Sequence, residues 1–274
     1  MKKQVLFVCA GKEFPQGAFN FLRSMQEQEP VHVVGLFFNP IDLDAMVAVS
    51  QIVVQGPYDR IREREHEVMA ANKALFAGQC EQHHIRYQVH VHDGQWDKDV
   101  LVGESRFADV LVLSGELFYA DINLQQPNVY LREALSGAEC PVVIIPEDYK
   151  QCDHVFMAYD GTKESLFAIK QFCYLFPKLT DLPTEMLYVR DEPEDRIPDL
   201  GRLRQYTRQH FDAMGFSKLH FKASHYFATW IGEKKDVLLV TGSYGRSPFS
   251  YLAKHSFAEQ VISEHKIPVF IAHA

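Results

Sequence analysis

What the 274-residue chain lacks already narrows the field. Its five cysteines, Cys9, Cys80, Cys140, Cys152 and Cys173, are odd in number and nowhere spaced Cys-x-x-Cys. That pattern speaks against a disulfide framework and for a reduced, cytosolic protein. No tract of basic residues is present, and the formal net charge is −8. A chain so charged is poorly suited to nucleic-acid phosphates or to an anionic membrane surface. No apolar run approaches the ~18–20 residues of a membrane helix. The opening Met-Lys-Lys followed by Val5–Ala10 is too short in its apolar part for a secretion signal, and Gly11-Lys12-Glu13 follows where a small-residue cleavage site would stand. Neither Ser-His-Asp nor paired-carboxylate patterning stands out, so the expectation is no enzyme and no catalytic residue.

What the chain has is a globular composition, 47% apolar and 23% charged, with no excess of Pro or Gly to indicate linker or collagen. Its length is nearly twice the ~150 residues typical of one domain. Residues 1–150 hold 13 of the 28 Lys and Arg and 21 of the 36 Asp and Glu, a net of −8, while the remaining 15 and 15 cancel. The two halves also repeat each other. Asp109-Val-Leu-Val-Leu-Ser-Gly115 and Asp236-Val-Leu-Leu-Val-Thr-Gly242 are near copies 127 residues apart, and the same offset relates Cys140-Pro-Val-Val-Ile-Ile-Pro-Glu147 to Ile267-Pro-Val-Phe-Ile-Ala-His-Ala274. Val5–Gly11 matches Val155–Gly161 more loosely. We read a duplication, with domains at 1–148 and 153–274.

Within each copy short apolar runs alternate with stretches of helical period, which predicts βαβ units and a parallel sheet. In the second copy strands are expected at Val155–Tyr159, Met186–Val189, Leu219–Lys222, Val237–Thr241 and Val269–Ala272. One helix carries Leu166, Ile169, Phe172, Cys173 and Phe176 on its inner face, and a second runs from Leu200 to Met214. Further helices are expected at His225–Ile231 and Phe257–Glu264. In the first copy Ile61, Val68 and Leu75 mark the core face of a long helix, preceded by an apolar insert at Ile41–Pro57 that reads as a packed loop, with a lid or a subunit contact as the alternatives. The final strands, short and apolar, are natural edges to pair with each other.

One segment carries chemistry. A strand ends in Gly242-x-x-Gly245, and Ser256-x-x-Glu259 forms a capping box ahead of the next helix. Glycines permit close backbone approach, and a helix N-terminus offers N–H groups and a positive dipole end to a phosphate. Arg246 adds a cation beside the same place. His90-Val-His92 would put two imidazoles on one face of a strand near His83, His84 and Asp93, but such clusters are mostly solvated surface, and no metal is expected.

Ala158-Tyr-Asp160-Gly-Thr-Lys-Glu-Ser165, together with Gly242-x-x-Gly245 and Ser256, resembles the universal stress protein family, here as a tandem pair covering nearly the whole chain. The resemblance implies two doubly wound α/β domains, each with a five-stranded parallel sheet, strand one beside strand four and helices on both faces. It implies ATP or AMP, with Mg²⁺, held in the second copy: Asp160 and Val189 facing adenine and ribose, Gly242, Gly245, Arg246, Ser256 and Phe257 lining the phosphates. Any ATP hydrolysis would be slow and incidental. His255 stands where the nucleotide-binding branch has a third Gly. In the first copy the site is lost, with Ala10 in place of Asp160, Glu116 in place of Ser243 and Phe118 in place of Gly245. The partners expected are an adenine nucleotide, a protein not identified by the sequence, the other domain of the same chain and a second copy in a homodimer. The alternative reading is an interaction or scaffold protein with two degenerate pockets.

Overall fold

A computed structural model describes residues 2–39, 55–93, 96–115, 129–189, 196–219, 231, 234, 236–242 and 267–273. Ten strands form one sheet: β1 (Lys3–Cys9), β2 (Val31–Phe37), β3 (Arg86–Val91), β4 (Val110–Ser114), β5 (Val142–Ile145), β6 (His154–Ala158), β7 (Thr184–Val189), β8 (Met214–Leu219), β9 (Val237–Thr241) and β10 (Val269–Ile271). Their order is β3-β2-β1-β4-β5-β10-β9-β6-β7-β8. Every neighbouring pair is parallel except the central one, where β5 and β10 run antiparallel with Val143 opposite Phe270. Each half therefore follows the same order outward from the seam, and strand one lies beside strand four in both. Strands buried on both faces read as continuous apolar runs; Val110–Ser114 and Val237–Thr241 are buried at every residue.

Six helices are described: α1 (Gln16–Gln28), α2 (Gln55–Gln82), α3 (Lys98–Ser105), α4 (Val129–Gly137), α5 (Lys163–Leu175) and α6 (Leu200–Thr207). Residues of α1, α2, α5 and α6 pack in one core on one face of the sheet, with Phe7, Phe19, Phe76 and Phe172 as large members. Leu101 of α3 and Leu131, Ala134 and Leu135 of α4 belong to the core on the other face. First and second helices of both halves thus share a face, as a two-fold axis perpendicular to the sheet at the β5–β10 seam requires. Across that seam Phe21 of α1 lies 5.8 Å from Phe176, which lies 5.8 Å from Phe270 of β10.

Three expectations are corrected. The inner face of α2 is Met69, Asn72, Phe76 and Cys80, while Leu75 is 50% exposed. A seven-residue recurrence suits two adjacent rows of a helix equally, and the row bearing Phe76, whose ring meets Phe7, Phe37 and Tyr87, wins the core. On α5 the inner residues are Ser165, Ala168, Ile169, Phe172 and Cys173, with Leu166 on the outer side. The helix expected to run to Met214 stops at Thr207, and residues 208–211 close a turn in which the Phe211 N–H donates to the Thr207 carbonyl. Met214 opens β8 opposite Thr184, five residues before the strand expected at Leu219. The spacing from His210 to Met214 mimics a helical step although the chain has already turned. The helices expected at His225–Ile231 and Phe257–Glu264, and the insert up to residue 54, fall outside the described residues or nearly so; Gln55–Pro57 of the insert belongs to α2.

Candidate functional site: the crevice between β6 and β9

In a doubly wound sheet the chain leaves one central strand in one direction and returns on its other side, opening a crevice at the carboxyl ends of the two strands. In the second half that point lies between β6 and β9, paired from His154↔Val237 to Met157↔Val240. Asp160 follows β6 and Gly242 follows β9. Asp160 Oδ1 accepts hydrogen bonds from the Thr162 N–H at 3.0 Å and the Thr162 hydroxyl at 2.6 Å. Thr162 is the N-cap of α5, its Oγ1 accepting from the Ser165 N–H at 3.3 Å. The turn between them needs Gly161, which sits at φ +85° and would drive a Cβ to 2.8 Å from Pro198. Asp160 therefore braces the cap, and its Oδ2 has no hydrogen-bond partner among the described residues.

Gly242 serves a close approach, but to protein. A Cβ there would lie 2.7 Å from the Ser165 amide nitrogen and 2.8 Å from the Glu164 carbonyl carbon. The end of β9 thus abuts the first turn of α5, and Asp160, Thr162 and Gly242 converge on one helix N-terminus. Tyr159, one residue before Asp160, points its hydroxyl to the Pro198 carbonyl at 3.3 Å; burial and the carboxylates of Asp199 and Asp160 raise its pKa. Val189 closes β7, with its side chain outside the described residues. Gly245, Arg246, His255, Ser256 and Phe257 also lie outside them.

The matching crevice of the first half, between β1 and β4, is built differently. The N-cap of α1 is Pro15, which supplies no side-chain bond. Its place is taken by Glu147, beyond the end of β5: Oε2 accepts from the Gly17 N–H of α1 at 3.0 Å and Oε1 from the Ser114 hydroxyl at the end of β4 at 2.6 Å. A Cβ on Gly17 would sit 2.1 Å from the Pro146 carbonyl oxygen. Nearby, Asn72 of α2 is buried and donates to the Gly11 carbonyl at 3.2 Å, and burial pushes the Cys9 thiol up to about 12. The protein's own carboxylate fills the anion-favouring end of α1. Ala10 is buried there; Glu116 and Phe118 lie outside the described residues.

Sequence reasoning missed Glu147 and Ser114, whose partners are far away in the chain. The signal was the pairing of Pro15, unable to cap, with Gly17 in the first turn. The remaining chemistry candidates have other employment. Cys80 and Cys140 are pushed up to about 12, and Cys152 and Cys173 to about 11, each chiefly by burial, which leaves them poor nucleophiles. His90 bonds Glu104 at 2.9 Å and His92 faces Asp97 at 4.0 Å; among the described residues no cluster of three His, Cys, Asp or Glu could hold a metal. No helix among them is long and apolar enough to cross a membrane.

The chain matches no protein-family model and no curated protein. Solved structures do share its architecture. A universal stress protein from Archaeoglobus fulgidus, 16% identical, superposes with a TM-score of 0.68 over 99% of this chain and 96% of that one. A functionally unknown protein from Pseudomonas aeruginosa, 12% identical, covers 99% of this chain and 92% of its own at 0.60. A candidate universal stress protein from the same species, also 12% identical, covers 99% and 93% at 0.61. The chain has the universal stress protein fold along nearly its whole length.

Proposed function

We propose that the chain is a two-domain stress-response module, divided at 1–148 and 153–274, whose second domain binds ATP (with Mg²⁺) or AMP and reports its occupancy to a protein partner in the cytoplasm, without being an enzyme. The observation that carries this reading is the convergence of Asp160, the first turn of α5 and Gly242 at the carboxyl ends of β6 and β9. The donor set suits a nucleoside: the spare oxygen of Asp160 accepts a hydroxyl such as a ribose offers. The phosphates would fall to Gly245, Arg246, Ser256 and Phe257, because the Asp160 carboxylate before α5 would repel them. In the first domain Glu147 already satisfies the corresponding helix, so one site per chain is expected.

A second reading, a scaffold that binds no nucleotide, is favoured by the structural employment of the same residues: Asp160 braces a cap and Gly242 admits α5. Calorimetric titration with Mg-ATP and with AMP separates the two. Saturation near one site per chain, lost in Gly245→Trp, supports the nucleotide reading. No heat, and no nucleotide released from the denatured protein, overturns it. Gly242 is the wrong position to vary, since its substitution disturbs α5 whether or not a ligand binds.

A further inference from the structure

Among the described strands two have a neighbour on one side only, β3 and β8, and they are unlike. β8 reads Met214-Gly-Phe-Ser-Lys-Leu219 and is half-buried except at Gly215; Lys and Gly within an edge strand are common guards against unwanted pairing. β3 reads Arg86-Tyr-Gln-Val-His-Val91, with no Gly, Pro or Lys, and exposes Val89 and Val91 by 37% and 46%. Side chains alternate along it. Tyr87, Val89 and Val91 share the face where the Tyr87 ring meets Phe76 of α2 at 5.5 Å, and His90 lies on the other, bonded to Glu104 of α3. The strand is also electrically polar end to end. Arg86 at its start and Asp93 just past its end are both exposed, and neither has an ion-pair partner among the described residues.

We propose that β3 pairs antiparallel with β3 of a second copy about a two-fold axis through Val89, extending the sheet across two molecules. Opposed residues of an antiparallel pair share a face. On one face Val89 meets its own counterpart and Tyr87 meets Val91 of the partner subunit, so three apolar residues from each copy cover one another. On the other, Arg86 meets His92 of the partner subunit, and the partner's Asp93 is one residue away, beyond the end of the strand at Val91 where the alternation of faces stops; the two-fold repeats the contact at the opposite end. A strand with a cationic start and an anionic end complements itself only when antiparallel. The chain already joins its halves in this manner at β5 and β10. The charge of −8 on each copy opposes association at low salt, and at about 0.15 M its reach shortens to about 8 Å.

Sedimentation velocity of the full chain at that ionic strength, across the micromolar range, tests the proposal. The expected species is twice the 31.5 kDa chain mass. Val89→Lys should raise the dissociation constant about tenfold or more, as the cross-strand apolar pairs are lost. Arg86→Asp and Asp93→Arg should each weaken the dimer, and the double swap should restore it, which a merely misfolded variant would not do. A wild-type monomer throughout the range overturns the proposal and leaves the edge to another chain or to none. A dimer indifferent to Val89→Lys, or one weakened by both single swaps and not recovered by the double, overturns it as well.

Discussion

Helices α1 and α5 occupy the same place in their halves, each following the strand that flanks the crevice, yet their N-termini are satisfied in different ways. Thr162 and Asp160 cap α5 from the preceding turn, which leaves the crevice beside Gly242 shaped by local residues. Glu147, 130 residues from its Gly17 partner, caps α1 and ties it to Ser114. An unsatisfied helix N-terminus attracts negative charge whatever its source. In the first half the source is the protein's own Glu147 carboxylate. A duplicated fold can thus cap equivalent helices from unrelated parts of the chain.

The largest expected effect comes from the glycines that allow these contacts. Helix propensity alone makes Gly17→Ala stabilising by up to about 1 kcal/mol. The Cβ, however, would meet the Pro146 carbonyl oxygen at 2.1 Å, and overpacking costs about 1–3 kcal/mol. Urea denaturation should show a net loss, and a gain in stability would break the picture of α1 pressed on the end of β5. Next, Glu147→Ala removes a remote cap and leaves the Ser114 hydroxyl without its acceptor. A loss of about 1–2 kcal/mol is expected, against about 1 kcal/mol for Thr162→Ala in the local cap. Equal, negligible effects would mean that water caps both helices.

Asp160→Asn sharpens the comparison from the ligand side. Asparagine keeps an acceptor for Thr162, so stability should change by no more than about 0.5 kcal/mol. Nucleotide affinity measured by calorimetry should fall severalfold if the carboxylate also serves a ribose hydroxyl. Unchanged affinity would confine Asp160 to capping.

The smallest effect is electrostatic and belongs to the first half. Lys3 lies 2.5 Å from Glu29 and holds that carboxyl below its ordinary range. A depressed folded-state pKa contributes stability above the unfolded value, about 4.3, and loses it as pH falls through the folded one. Lys3→Met should therefore cost a few tenths of a kcal/mol at neutral pH, as exposed pairs do, and nothing in strong acid. A cost that persists at low pH would point to lost packing of the lysine stem instead.

Much of this architecture was legible without coordinates. The repeated apolar runs located β4, β5, β9 and β10, and the short terminal strands foretold the seam, because fully buried strands must be apolar throughout. The cap built by Asp160 and Thr162 is local, each acting on a neighbour within three residues. The row of α2 that faces the core was not legible, because periodicity ranks faces and Phe76 decides between adjacent ones. The turn after Thr207 escaped for a similar reason, its apolar residues preserving a helical step by coincidence.

The sequence by itself determined most of the strands and their alternation with helices, both consequences of burial patterns carried by contiguous residues. Only the tertiary structure decided that Glu147 caps α1, that Gly242 makes room for α5, and that β3 lies at an edge of the described sheet. Each of these depends on atoms brought together from distant parts of the chain, and neither composition nor period encodes that proximity.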